Sequence, residues 1–177
     1  MASRLAEIAI RKHIASKSDI YYETVQSLGE IAWGAFGEGR KSQIRNLENV
    51  ANSASGVAEI LDFVKRQTGR SRPTSQWRYE DFGHELLRAL DGALRKDAQS
   101  IFDEVKEAIK RHELSDDDRR RIHVLLCREF IRHLSSHYLY KTGLTVGLGG
   151  LWKDTKLSEE DLNTARRDVW RRLGDEL

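Results

Sequence analysis

Apolar residues recur at helical spacing along most of the chain, and most regularly between Arg119 and Lys141. There Ile122, Leu126, Phe130, Leu134 and Tyr138 fall every four residues, flanked by Leu125, Cys127 and Ile131, which is the stripe of a long helix facing a core. Ser115, followed by Asp116, Asp117 and Asp118, supplies an N-cap and a first turn suited to the positive end of the helix dipole. Lys141 and Gly143 are expected to close this helix.

The remaining spacing predicts further helices in order. The first covers 3–16, with Leu5, Ile8, Ala9 and Ile14 inward. Ser18 and Asp19 are expected to cap a second helix through Gly37, with Tyr21, Val25, Leu28, Ala32 and Phe36 on its apolar side. A third helix, 42–54, turns Ile44, Leu47, Val50 and Ala51 inward, and a fourth, 57–68, buries Val57, Ile60, Leu61 and Val64. Residues 79–112 read as one long helix or two, with a break expected at Asp91-Gly92. The glycine-rich stretch 142–155 reads as a loop, lacking the lysine and hydroxyl of a phosphate-binding P-loop. Ser158 and Asp161 start a last helix through Leu173.

This pattern predicts an all-α, single-domain bundle over 1–177 of about six or seven helices, built on 119–141. Residues 1–17 belong to the bundle or form an N-terminal arm. A single proline and 33% charged residues in 177 suit long helices, because few breakers interrupt them. One cysteine, Cys127, excludes a disulfide framework and a cysteine metal site. No apolar run is long enough to span a bilayer and the N-terminus lacks an apolar leader core, so the expectation is a cytoplasmic protein without membrane association.

The net charge of +2 conceals a segregation. Residues 40–78 hold eight Lys or Arg against three acids, whereas 79–115 hold six against nine. A basic segment inside a nearly neutral chain points to a patch for a polyanion. Lys41, Ser42, Gln43 and Arg45 gather at a helix start, where free N–H groups already favour phosphate. Arg66, Arg70 and Arg72 follow at the end of the next helix. The connector around Trp77 mixes arginines with an aromatic ring, a composition suited to single-stranded nucleic acid, or equally to a tryptophan that plugs the next helix onto the core.

The central helix adds Arg128 and Arg132, one turn apart, and Lys141. It also carries Glu129, His133 and His137 on one face, but without an HExxH pattern or a second ligand cluster, and no metal or other cofactor is expected. Arg128 and His133 match the Arg-x4-His spacing of the HEPN ribonucleases, an all-helical family that this segment resembles. That resemblance implies metal-independent RNA cleavage, with Arg128 steadying the scissile phosphate and His133 assisting proton transfer. Five residues along a straight helix separate the two side chains by roughly 140°, so they converge only with a dimer partner or a distorted helix.

A broader resemblance runs through KSQIRNLENVANSA and the later REFIRHLSSHYLYK. Together these segments resemble the small helical subunit of type III CRISPR effector complexes, with a Ser-Gln-Ile-Arg motif opening one helix and a late helix ending in aromatics and a lysine. The resemblance implies a non-catalytic subunit that contacts guide and target RNA through backbone charges, beside other subunits and copies of itself. Lys41, Ser42, Gln43 and Arg45 match the first motif, and Arg132 and Lys141 the second helix. The alternatives are the HEPN-type ribonuclease and a protein-only adaptor that uses the acidic helix together with Arg166, Arg167, Arg171 and Arg172.

Overall fold

A computed structural model describes residues 4–70, 76–109 and 114–152, with the side chains of 109 and 144–152 left aside. The described residues form helices and no strand: α1 (Arg4–Ile20), α2 (Tyr22–Phe36), α3 (Lys41–Ser53), α4 (Val57–Arg70), α5 (Phe82–Leu87), α6 (Leu94–Ile109) and α7 (Asp116–Trp152). A short 3-10 stretch, Gln76–Asp81, leads into α5, and a π-helical stretch, Arg88–Ala93, joins α5 to α6. The expected break at Asp91-Gly92 is therefore a widened turn inside a continuous helical run. The chain divides into two compact units, Met1–Thr142 and Gly143–Leu177, and the core formed by the described side chains lies in the first.

That core follows the stripes. Leu86, Leu90, Leu94, Ile101, Ile122, Leu126, Leu134 and Tyr138 are fully buried, each side chain contributing about 1.5–3 kcal/mol by leaving water. The start of α7 forms as the residue pattern predicts. Asp118 accepts hydrogen bonds from Ser115 N at 2.9 Å and Ser115 Oγ at 3.0 Å, so aspartate takes the place of glutamate in the capping box.

Three expectations about helix limits and faces are corrected. Gly143 does not stop α7, which runs on to Trp152, so 142–152 of the stretch read as a loop is helical, while 153–155 and the expected last helix lie outside the described residues. Among the described glycines only Gly37 has a positive φ, and a glycine in helical geometry costs only about 1 kcal/mol once a helix is nucleated. Ser18 and Asp19 do not cap α2. They lie inside α1, where Ser18 Oγ donates to Ile14 O at 3.0 Å, satisfying the hydroxyl without a break. The face of α1 is also shifted: Leu5 and Ile8 are 71% and 57% exposed, while Ala6, Ile10 and Ile14 are buried. Two overlapping stripes exist in this segment, and the one with alanine at the contact packs against α6. α1 thus lies in the bundle instead of standing off as an arm.

Candidate nucleic-acid interface

One end of the bundle collects the basic residues. α2 ends at Gly37, whose φ of +54° turns the chain, and Tyr138 Oη donates to Gly37 O across the core. Four residues later α3 opens at Lys41, with Arg40 in the N-cap position and no side-chain cap bond. Ser42 is therefore not the cap: it stands exposed one residue inside the helix, with Arg45 exposed one turn further on.

The connection from α3 to α4 is short, so the two helices run antiparallel. The start of α3 thereby shares an end of the bundle with Lys65, Arg66 and Arg70 of α4, all exposed. Trp77 ties this end together. It is 3% exposed, packs against Phe36, Phe63 and Phe82 with ring centroids 5.5, 6.0 and 5.4 Å away, and donates from Nε1 to Gln43 Oε1 at 3.2 Å. Of the two sequence readings of Trp77, a stacking ring or a plug on the core, the structure shows the second, because the aromatic cluster offers that large ring more burial than solvent does. Gln43 is correspondingly spent on the tryptophan. Arg78 Nε donates to Thr68 O at 3.1 Å, steadying the end of α4. A Cβ on Gly83 would lie 2.0 Å from Thr68 Oγ1 and 2.8 Å from Trp77 O, so only glycine lets α5 approach so closely.

Among the described residues many cations outside this end are paired, although Lys12, Lys96 and Lys106 are not. Arg11, Lys17, Arg88, Arg95, Arg119, Arg120, Arg121, Arg132 and Lys141 each face a carboxylate. Among the described residues, no carboxylate stands within ion-pair reach of Arg40, Lys41, Arg45, Lys65, Arg66 or Arg70. Arg66 Nε donates only to Asp62 O of its own helix, at 3.2 Å. Arg72 lies outside the described residues, as do Arg166, Arg167, Arg171 and Arg172.

The cations of α7 are placed differently. Arg128 is half-buried and donates through Nε to Ala51 O at 2.9 Å and through Nη2 to Ala54 O at 2.7 Å. These are carbonyls at the C-terminal end of α3 that the helix itself leaves unbonded. Arg128 is thus a clamp on α3. Arg132 pairs with Glu129. Lys141 Nζ is 2.7 Å and His137 Nε2 3.2 Å from Glu30 Oε1. Burial works to raise the Glu30 pKa, but its hydrogen bonds and charge contacts with Lys141 and His137 outweigh that and hold it below the usual carboxylate value.

Arg128 and His133 are not brought together. Arg128 lines a cavity of about 790 Å³ with Val57, Arg95 and His123, whereas His133 lines another of about 500 Å³ with Glu7, Arg11 and Asp19. His133 lies 3.8 Å from Glu129, but His137 turns away to Glu30. No group of three or more His, Cys, Asp or Glu able to hold a metal occurs among the described residues, and no described helix is long and apolar enough to cross a membrane.

Sequence reasoning passed over His123. Its Nε2–H donates to Leu90 O, inside the π-helical stretch, at 2.8 Å, and desolvation pushes the imidazole pKa below its ordinary value. The widened turn frees a carbonyl, and the histidine satisfies it. Only the Asp91-Gly92 irregularity hinted at this in the sequence.

Compared with known proteins, the chain matches no family model, no curated protein and no solved structure.

Proposed function

We propose that this chain is a non-catalytic, RNA-backbone-binding subunit of a ribonucleoprotein, gripping phosphates with the shared end of α3 and α4. The observation that carries the reading is the set of cations there, Arg40, Lys41, Arg45, Lys65, Arg66 and Arg70, that no carboxylate neutralises. Other described cations without an ion pair, such as Lys12, Lys96 and Lys106, stand on α1 and α6, so what marks this end is six such cations gathered on the ends of two packed helices, an arrangement suited to an external polyanion. Ser42 stands on the same exposed surface, able to donate to a phosphate oxygen.

The Ser-Gln-Ile-Arg segment that resembles the small subunit of type III CRISPR effector complexes is Ser42–Arg45, within this same end. That coincidence supports placing the protein in such a complex, in the cytoplasm, against guide and target RNA and beside other subunits. Sequence discrimination would then come from guide pairing, and the protein would supply backbone contacts. Arg128, Arg132 and Lys141 serve the fold in this reading, not the strand.

The test is binding of labelled RNA by the Lys41→Glu, Arg45→Glu double variant across a salt series, with the integrity of the RNA read in the same samples. The expected result is a loss of at least about tenfold in affinity and a shallower salt dependence, by roughly 1.4 in slope for two single-strand phosphate contacts. The circular dichroism spectrum stays that of the parent and the RNA stays intact. Unchanged affinity rejects this surface as the site, and cleavage that disappears in His133→Ala replaces the reading with a ribonuclease.

A further inference from the structure

Tyr79 is 44% exposed and stands next to Arg78, whose guanidinium holds Thr68 O near the end of α4. Two residues before it, Trp77 is fixed to Gln43 in the first turn of α3. Its ring lies over Gly34, near the end of α2: a Cβ built there would be 2.9 Å from Tyr79 Cε1, 3.2 Å from Oη and 3.3 Å from Cζ. Tyr79 therefore rests on bare backbone at the end of the bundle where Arg40, Lys41, Arg45, Arg66 and Arg70 gather. Glu80 and Asp81 both take left-handed conformations, with φ of +43° and +61°, which turn the chain away from the ring and into α5. A supported, part-exposed aromatic beside unpaired cations has the two parts of a single-strand site, since cations meet phosphates while a ring stacks on a base.

We infer that Tyr79 is a stacking platform for an unpaired base, so that the strand held by Lys41, Arg45, Arg66 and Arg70 is single-stranded rather than duplex RNA. This rests on the RNA reading of that end and names its substrate class. A duplex keeps its base faces in its own stack and offers Tyr79 nothing, whereas an unpaired strand offers a base whose π-face any nucleotide supplies.

The experiment is fluorescence anisotropy of the full chain with a labelled oligouridine and with a labelled RNA duplex of the same length, across a salt series. Tyr79→Ala is expected to weaken single-strand binding roughly tenfold, a typical stacking contribution, without changing the salt slope or duplex affinity. Tyr79→Phe retains parental affinity because the ring remains. Gly34→Ala, which forces the ring off its support while keeping the phenol, reproduces the single-strand loss. Equal losses on both RNAs, or none on either, while Lys41→Glu with Arg45→Glu still loses binding, overturn the role of Tyr79 and leave the RNA reading standing. A parent protein that binds neither RNA overturns both.

Discussion

Arg45 and Arg132 both lie on the outer side of a helix in a basic segment, yet their surroundings differ. Arg132 pairs with Glu129 one turn away, and along the same helix Arg128 is consumed by the carbonyls of Ala51 and Ala54 and Lys141 by Glu30. Arg45 has exposed neighbours in Ser42 and Asn46 and no carboxylate partner. Residue type and helical spacing are alike in the two regions; the partners differ. A cation whose hydrogen bonds and charge are satisfied within the fold must lose those contacts before gripping a phosphate, while one facing only water has just its hydration to give up.

The largest expected effect breaks the basic end from inside. Gly83→Ala sets a methyl group against Thr68 and the Trp77 carbonyl and is expected to cost about 3 kcal/mol by overpacking. Urea denaturation measures it, and RNA affinity should fall with stability because the contacts ordering that end move together. A midpoint equal to the parent's would show that this contact does not hold the end in place.

Next is Arg128→Ala, which leaves the carbonyls of Ala51 and Ala54 without their donor and is expected to cost about 2 kcal/mol. The folded variant should bind RNA as the parent does. A selective loss of RNA affinity at full stability would erase the contrast between the two regions.

A smaller effect depends on pH. Desolvation depresses the folded-state pKa of His123, so as pH falls the unfolded chain takes up the proton first. Stability is thus complete near neutrality and is lost as pH drops through the ordinary histidine range, about 6.5, toward the lower folded value. The depressed carboxylates Glu7 and Glu30 add their own loss only below their ordinary value of 4.5. In His123→Gln, which keeps a donor for Leu90 O, thermal melts between these two windows should show a flatter pH dependence than the parent. RNA affinity per folded molecule should not follow the same curve, since no described histidine lies among the cations of the basic end.

The smallest effect sharpens the contrast most simply. Arg132→Ala should change stability by less than about 0.5 kcal/mol, as exposed pairs do. Its RNA affinity should stay within about twofold of the parent, read by anisotropy beside Lys41→Glu with Arg45→Glu.

The bundle was legible wherever a single apolar stripe existed. Ile122 to Tyr138 could face only one way, and the Ser115 cap fixed the start. Legibility failed where two local solutions were comparable, as in α1, where Ala6–Ile10–Ile14 competes with Leu5–Ile8. It failed also at Gly143, because a glycine ends a helix only when the chain adopts a left-handed turn there. Half of the candidate site could be read: a cluster at the start of α3 is visible as charge. Pairing was not visible, because Glu30 is far from Lys141 in sequence and the clamp from Arg128 to Ala51 and Ala54 crosses between helices. Trp77 and Tyr79 are two residues apart, and only the position of Phe36, Phe63 and Phe82 decides which ring is buried.

The burial of Cys127 gives this protein a built-in chemical clock. It is the sole thiol in the chain and is wholly enclosed, with Sγ 4.0 Å from Leu90 O and its pKa pushed up to about 12, mainly by desolvation. A maleimide reagent can modify it only in molecules whose central helix has separated from the π-helical turn, so the labelling rate counts those openings one molecule at a time. Labelling that slows when RNA is added would report, from the middle of the core, that a ligand held at the far end of α3 tightens the whole bundle.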